Sequence, residues 1–272
     1  MNGKLLAGIS MATLLLALAV VGPWLVPQDP NRQDLGAVRQ PPAWAGGAWA
    51  HPLGTDSLGR DVLARLLGGA RVALVVAVGS AVLSALIGVP VAIVAGYRRG
   101  RIDTVLMRLV DVWMSIPAVL FAIALMAVLG LGLWKVVAAI VLVDWTRFAR
   151  VVRGEVLALR EQEFMEAARA VGLGPLRAAW EELLPNLVPL IIVLASLEMA
   201  VAVGVETLLS FVGLGVQASM PSWGAMIAEG RGYLLVSWWG MGLPMLALVL
   251  AVIGFNLLGE GLRERLDPRL RT

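Results

Sequence analysis

Cysteine is absent from the 272 residues, which excludes disulfides, thiolate metal sites and a cysteine nucleophile. Histidine occurs once, at His51, and no HExxH or GxSxG motif is present, so the usual hydrolase constellations are missing. The two lysines, Lys4 and Lys135, lie outside any GxxxxGK[ST] loop, so the chain carries no P-loop nucleotide site. Charge is scarce as well. Charged residues make up 15% of the chain, where a soluble domain carries about 25%. What fills the space is apolar: 59% of residues are hydrophobic and the mean hydropathy is +0.84. This composition belongs to an all-α, multi-spanning membrane protein. The pI near 9.9 rests on a net charge of only +3. No basic run is interleaved with aromatics, so the arginines read as membrane-surface charges and not as a nucleic-acid patch.

A span needs about 20 mostly apolar residues. Six stretches qualify, at 5–26, 71–96, 112–131, 134–157, 187–213 and 236–259. Pro117 breaks the start of the third, and Arg108 and Asp111 sit just before it. The first, with Lys4, an apolar run and Ala17-Leu18-Ala19, also has the outline of a cleavable signal peptide, but its apolar run continues to Val26, longer than such a segment needs. This divides the chain into an N-terminal span (1–26), an extracytoplasmic segment (27–70) and a transmembrane core (71–272) with a loop at about 158–186. Arginines gather in the 97–104 connection, in 158–186 and in the C-terminal tail, which places these and both termini in the cytoplasm.

Ser80, Ser84, Gly88, Ala92 and Gly96 recur every fourth residue in the second span, the spacing of a close helix-packing seam. Pro90, Pro189 and Pro244 lie within or near spans, where neighbouring helices or a cavity must satisfy the freed carbonyls. Three acids fall at membrane depth: Asp144 in the fourth span, and Glu198 and Glu206 in the fifth. Such groups are expensive in lipid and must face a neighbour helix, a partner subunit or a cavity. They are candidates for a pathway lining or a subunit interface, and Asp144 has Arg147 and Arg150 at hand for pairing.

Between the fourth and fifth spans runs REQEFMEAARAVGLGPLRAAWEELLPN (160–186), as rich in acids as in arginines. Phe164, Ala167, Ala168 and Val171 fall on one helix face. Gly172 and Gly174 supply a stop, and Pro175 suits the first turn of a second helix. Leu176, Ala179, Trp180, Leu183 and Leu184 continue the helical spacing, and Pro185-Asn186 is expected to end it. A helix–turn–helix lies on the cytoplasmic face, too acidic to be a plain headgroup-binding helix.

Glu166-Ala167-Ala168, Gly172 and Leu184-Pro185 resemble the EAA signature of ABC importer permeases, with Glu182 standing where that signature has an apolar residue. The segment from His51 to Arg71 (HPLGTDSLGRDVLARLLGGAR), together with LLSFVGLGVQ (208–217), PSWGAMIAEGR (221–231) and FNLLGEGLRERLDPRLR (255–271), resembles the "C" type permease of the dipeptide, oligopeptide and nickel group. The resemblance implies the type I ABC importer permease fold, about six transmembrane helices with a cytoplasmic helix–turn–helix coupling loop. It implies that Glu166, Ala167, Ala168, Gly172, Leu184 and Pro185 dock on an ATPase. The implied partners are a second permease subunit, two cytoplasmic ATPase subunits that carry ATP and magnesium, and an extracytoplasmic solute-binding protein. The location is a bacterial or archaeal plasma membrane, and His51 becomes a loop residue. Within the 51–71 motif, Asp56–Arg60 and Asp61–Arg65 are spaced to pair on a helix face.

The function this implies is peptide import, with nickel import by the same group as an alternative. A proton-driven transporter using Asp144, Glu198 and Glu206 is a second alternative, which leaves the charged loop without a task. An intramembrane enzyme lacks a catalytic constellation.

Overall fold

The computed structural model describes residues 3–26 and 28–266, and every regular element among them is helical. The long helices are α1 (Gly3–Leu25), α2 (Val62–Arg98), α5 (Leu133–Leu159), α8 (Leu184–Phe211) and α10 (Trp239–Leu266). Shorter ones are α3 (Gly100–Met114), α4 (Ala118–Leu129), α6 (Glu163–Ala170), α7 (Pro175–Ala178) and α9 (Trp223–Gly230).

Four helices are long and apolar enough to cross a membrane: α1, α2, α8 with the turn before it, and α10. The expected third span is instead a pair, α3 and α4, bent by 83° at residues 115–117. Pro117 has no N–H to continue α3 and disfavours helical geometry at Ile116. Trp113 fills the corner, donating Nε1–H to the Leu142 carbonyl at 2.5 Å and meeting Phe121 and Trp145 edge-on. The expected fourth span, α5, is long enough at 27 residues, but Lys135, Asp144, Arg147 and Arg150 crowd its apolar run. The structure solves this by surrounding α5 with protein, so that most of its N-terminal half is buried.

α2 begins at Val62, nine residues before the expected start, and at 37 residues it is about 55 Å long. Asp61 is its N-cap, accepting from the Ala64 N–H at 2.7 Å. The every-fourth-residue stripe is buried throughout and lies against α5. A Cβ on Gly88 would stand 2.4 Å from the Trp145 carbonyl, and one on Gly96 2.6 Å from Val156. α1 crosses α10 by the same device. A Cβ on Gly8 would meet the Leu258 backbone, and Gly254 and Gly261 face Met11 and Leu5. α1 runs unbroken through Ala17–Ala19 and contributes Leu15 and Ala19 to the core.

Residues 28–61 form a cap over the α2, α9 and α10 ends. Gly54 (φ +80) and Gly59 (φ +71) are needed there twice over, because a Cβ on Gly59 would overlap the Asp34 carbonyl and one on Gly54 the Gln40 carbonyl. Trp239 donates to the Thr55 carbonyl and Trp223 to the Leu66 carbonyl, each at 3.0 Å. Of the two expected ion pairs only Asp56–Arg60 forms, at 2.6 Å. Asp61 is a cap outside the helix and takes His51 Nδ1 at 2.8 Å instead. Arg65 turns to Asp56 at 2.5 Å and to Glu229 of α9 at 2.7 Å, while Arg60 also reaches Glu229. Burial pushes the Asp56 carboxyl up, but the Leu58 N–H and the Arg65 and Arg60 guanidiniums outweigh it and hold the group below the ordinary carboxylate range.

Two predictions follow from this packing. Gly88→Ala should cost about 1–3 kcal/mol through forced separation of α2 and α5. Gly79→Ala, whose Cβ would sit 3.5 Å from a movable Val137 methyl, should be neutral or stabilising. Thermal unfolding in detergent compares them, and equal melting temperatures would contradict the seam. Asp56→Asn should cost about 1.5–3 kcal/mol near neutral pH, the scale of a lost charged hydrogen bond, because the two buried arginines are then left to share the single carboxylate of Glu229. Since the folded carboxyl titrates below its unfolded value, its stabilisation is complete above roughly pH 4 and fades as pH falls further, so the gap between wild type and variant should narrow there.

Candidate functional site

The loop from 160 to 186 is a helix–turn–helix, with two differences from the sequence pattern. α6 buries Met165 and Ala168 against α2, α5 and α8 residues, while Ala167 is exposed and Val171 is 75% exposed. The buried face is therefore rotated by about one residue from the expected Phe164-Ala167-Ala168-Val171 line, because Met165 fills the deepest site. Glu166, Ala167 and Gly172 are left together on the open side. Gly172 has φ +79 with nothing near its missing Cβ, so the turn geometry, and not crowding, demands glycine. The Leu173 N–H closes the helix on the Ala168 carbonyl at 3.0 Å.

Pro185 does not end the second helix. α7 continues through a π-helical turn at Ala179–Leu183 straight into α8. Proline at 185 cannot donate to the Glu181 carbonyl and crowds it. The wider π turn, with the Leu184 N–H on the Ala179 carbonyl, accommodates the ring. Leu183 is fully buried, Leu184 half-buried and Pro185 exposed. Trp180, expected on the apolar face, is 65% exposed instead, and with Gly174, Pro175, Arg177 and Glu181 it borders an open hollow of about 560 Å³. The Leu176 side chain lies outside the described residues.

The loop is fastened to the end of α2. Arg160 donates to the Tyr97 carbonyl and lies over the Tyr97 ring, Arg99 pairs with Glu161, and Arg169 donates to the Arg160 carbonyl at 2.6 Å. The Tyr97 carbonyl is one of the unpaired acceptors at a helix C-terminus, where a guanidinium is favoured.

The three buried acids separate into two groups. Asp144 does not pair with Arg150, which reaches Asp111 at 2.5 Å. Instead Asp144 lies against Glu198, and Arg147 reaches Glu198 at 3.4 Å. Glu198 is wholly buried and its Oε1 has no hydrogen-bond partner. Glu206 is apart from them, 2% exposed, accepting from Ser210 Oγ at 2.6 Å and hydrogen-bonded to Ser222, the N-cap of α9. A Cβ on Gly224 would stand 2.3 Å from the Thr207 carbonyl, so α9 sits directly on α8 at this point. Glu206 is thus a tie between helices. Among the described residues no group of three or more His, Cys, Asp or Glu side chains is placed to hold a metal ion.

Residues 88–272 match the model of the binding-protein-dependent transport system inner membrane component, and residues 5–42 match that of the N-terminal transmembrane domain of oligopeptide transport permease C. The chain belongs to this transport family. It is 38% identical to the di/tripeptide transport system permease protein DppC of Pseudomonas aeruginosa, over 100% of this chain and 90% of the relative. It is 40% identical to the dipeptide transport system permease protein DppC of Bacillus subtilis, over 99% of this chain and 83% of the relative. The permease of the MetNI methionine ABC transporter, solved in inward-facing conformations, superposes with a TM-score of 0.61 at 20% identity, covering 75% of this chain and 96% of that one.

The permease is therefore a multi-pass membrane transport subunit of the type I importer fold and not an enzyme. ATP hydrolysis lies on separate subunits of such systems, and an extracytoplasmic binding protein is their other general partner. Family membership favours the ATP-driven mechanism over the proton-driven alternative. What sequence reading missed is the fastening at Tyr97, Arg99 and Arg160. Its signal was present in the arginines flanking α3 and opening the loop, but a backbone carbonyl acceptor carries no sequence mark.

Glu206→Gln keeps an acceptor for Ser210 and should leave the melting temperature nearly unchanged. Glu206→Leu should cost about 1–3 kcal/mol by leaving buried hydroxyls unpaired. If Glu206→Gln abolished uptake with normal stability, a charge role would replace the tie.

Proposed function

We propose that this permease is one of two transmembrane subunits of an ATP-driven importer that moves di- or oligopeptides from an extracytoplasmic binding protein into the cytoplasm. The observation that carries this is whole-length similarity to peptide permeases, combined with an open loop surface. Glu166, Ala167 and Gly172 stand exposed on a helix whose opposite side is held by Met165 and Ala168. A surface of small residues with one charge, backed by buried Met165 and Ala168, leaves room for a partner to approach closely. Ala168 contributes from beneath as packing, and the Leu184–Pro185 pair contributes by setting the π turn that joins the loop to α8. A second permease subunit would complete the pathway, two ATPase subunits would supply the ATP and magnesium chemistry, and both termini would face the cytoplasm of a bacterial inner membrane. The relatives' peptide names favour peptides over nickel.

ATP-driven closure of the ATPase dimer would push on α6. Through Arg160 and Glu161 the push reaches α2 and α3, and through the continuous α7–α8 rod it reaches Glu198 and Glu206. Alternating access is the expected consequence.

Gly172→Val strains the turn at φ +79 without touching the core. In proteoliposomes with all subunits, peptide delivered per ATP should fall by about tenfold while ATPase subunits still bind, the scale of a lost coupling of 1–3 kcal/mol. Full transport in Gly172→Val and in Glu166→Lys would defeat the docking assignment. Recovery of the tagged chain from its membrane without ATPases or a second permease would defeat the importer reading as a whole.

A further inference from the structure

The segment between α9 and α10 puts apolar side chains where a water-facing loop has none. In Tyr233–Trp238, Tyr-Leu-Leu-Val-Ser-Trp, Leu235 is 100% exposed and Val236 68%. The stretch is nonetheless well formed. The Tyr233 carbonyl accepts from the Val236 and Ser237 N–H groups at 2.9 and 2.8 Å, and from Ser237 Oγ at 3.3 Å. Buried Ser237 thereby closes a turn with Leu234 and Leu235 at its tip.

α1 supplies a ruler for the depth of this turn. Its 23 residues are about 34 Å long, against a hydrocarbon core of about 30 Å, so Trp24 in its last turn, 86% exposed, marks one boundary of the bilayer. α10 runs antiparallel to it, with Gly261 against Leu5, Leu258 against Gly8 and Gly254 against Met11. The same register brings Gly242 level with Trp24. A Cβ on Gly242 would stand 3.2 Å from the Trp238 ring, so that exposed ring lies back at the boundary as well. Gln28, just past the end of α1, donates to the Ala50 carbonyl at 3.0 Å and brings the exposed Trp49 of the cap alongside. The turn at 233–237 is one step beyond this level, at the depth of the headgroups.

The exposed side of the spanning helix α10 carries Met245, Leu246, Val249, Leu250 and Ile253. Steps of four, three and four lead from Val249 through Met245 and Gly242 to Trp238, so the turn continues that face. No charged residue occurs between Arg231 and Glu260, so the polar rim of a protein-docking patch is missing on this side. Charge appears only at the other edge. Arg231 lies over the Phe211 ring at 5.6 Å, and Arg39 over the Tyr233 ring at 4.9 Å. Both are exposed, and among the described residues neither is paired with an acid. Glu229, the acid nearest Arg231 in sequence, is taken by Arg60 and Arg65. Arg39 is held in place by a left-handed backbone, φ +53, with its N–H on the Asp56 carbonyl at 2.9 Å.

An uncharged apolar tip edged by two free guanidiniums is complementary to a phospholipid, acyl chain to the one and phosphate to the other. We propose that Tyr233–Trp238, with Arg39 and Arg231, is a seat for phospholipids of the leaflet on the cap side. Leu234, Leu235 and Val236 enter the boundary between headgroups and acyl chains, and the two guanidiniums take headgroup phosphates. Through Arg39 the seat holds the cap to the bilayer surface. It depends on α1 and α10 spanning the membrane and not on which solute is carried.

The chain has no cysteine, so Leu235→Cys accepts a single bimane label at a tip that packs on nothing. The complete transporter is placed in nanodiscs of phosphatidylethanolamine and phosphatidylglycerol, and the wild-type complex labelled in parallel gives the background from other subunits. Lipid with a nitroxide just below the headgroup should quench the label, and aqueous iodide should not. A label on Leu35→Cys, in the cap beside Asp34 where it packs on Gly59, should show the reverse. In nanodiscs of digalactosyl diglyceride, which has no phosphate, nitroxide quenching at 235 should fall, and Arg39→Gln with Arg231→Gln should lose this difference between lipids. Iodide quenching at 235 equal to that at 35 would overturn the seat. So would protection of 235 that appears only when the binding protein is added, which gives the turn to that partner, or protection from both quenchers, which gives it to the second permease. Equal nitroxide quenching in the two lipids with wild-type arginines would overturn the phosphate contact.

Discussion

The α2 and α5 backbones approach until no side chain fits between them. At Gly88 the neighbour across the seam is a backbone carbonyl, that of Trp145, and the flanking positions along α2 are serine, alanine and glycine. In lipid, apolar side chains gain little by leaving acyl chains for one another, so close backbone packing supplies the association that a hydrophobic core supplies in water. Everything else in the permease is arranged about this seam. It places α5 inside the bundle, and a helix placed inside can carry charge.

That charge is then met one group at a time. Arg153 and Arg150 are answered by Asp103 and Asp111 on α3, and Arg147 by Glu198 on α8. Just past α5's end, Arg160 is answered by the end of α2. α5 is thereby clamped on three sides, and the 83° bend between α3 and α4 has a reason beyond Pro117. α3 must lie along the α5 arginines to supply its acids, and a straight continuation into α4 would carry them away. The same device recurs outside the bundle, where Arg60 and Arg65 bind α9 to the cap through Asp56 and Glu229.

Much of this was legible in the sequence. The small-residue stripe predicted the seam because its period is that of a helix face, and the Gly172 stop appeared where glycine alone tolerates the turn. The fold class followed from hydropathy. The failures share a cause: each concerned a choice made by a neighbour not adjacent in sequence. Asp61 and Arg65 have helical spacing but do not pair, because Asp61 sits just outside the helix and Arg65 has a better-placed partner in Glu229, far along the chain. Spacing put both Arg147 and Arg150 within reach of Asp144, but Asp111 takes Arg150 and Arg147 turns to Glu198. Pro185 signals a break in isolation, yet a π turn carries the helix past it and keeps Leu183 buried. Local pattern gives the menu, and tertiary competition selects from it.

α2 joins the two ends of the molecule. Its first turns hold Arg65 in the cap cluster, and its last turn offers the Tyr97 carbonyl to Arg160 at the root of the coupling loop. A single helix of 37 residues spanning both sites transmits axial displacement well and bending poorly. It has one weak point. Pro90 removes the hydrogen bond to the Leu86 carbonyl, within one turn of Gly88, where the seam is tightest. A force applied at the loop therefore meets a rod that can flex only where it is braced against α5. Gly88 packs there on Trp145 and Phe148, whose neighbours on α5 include Asp144 and Arg147. The seam that holds the bundle together thus also joins the α2 rod to the stretch of α5 that carries the buried charges.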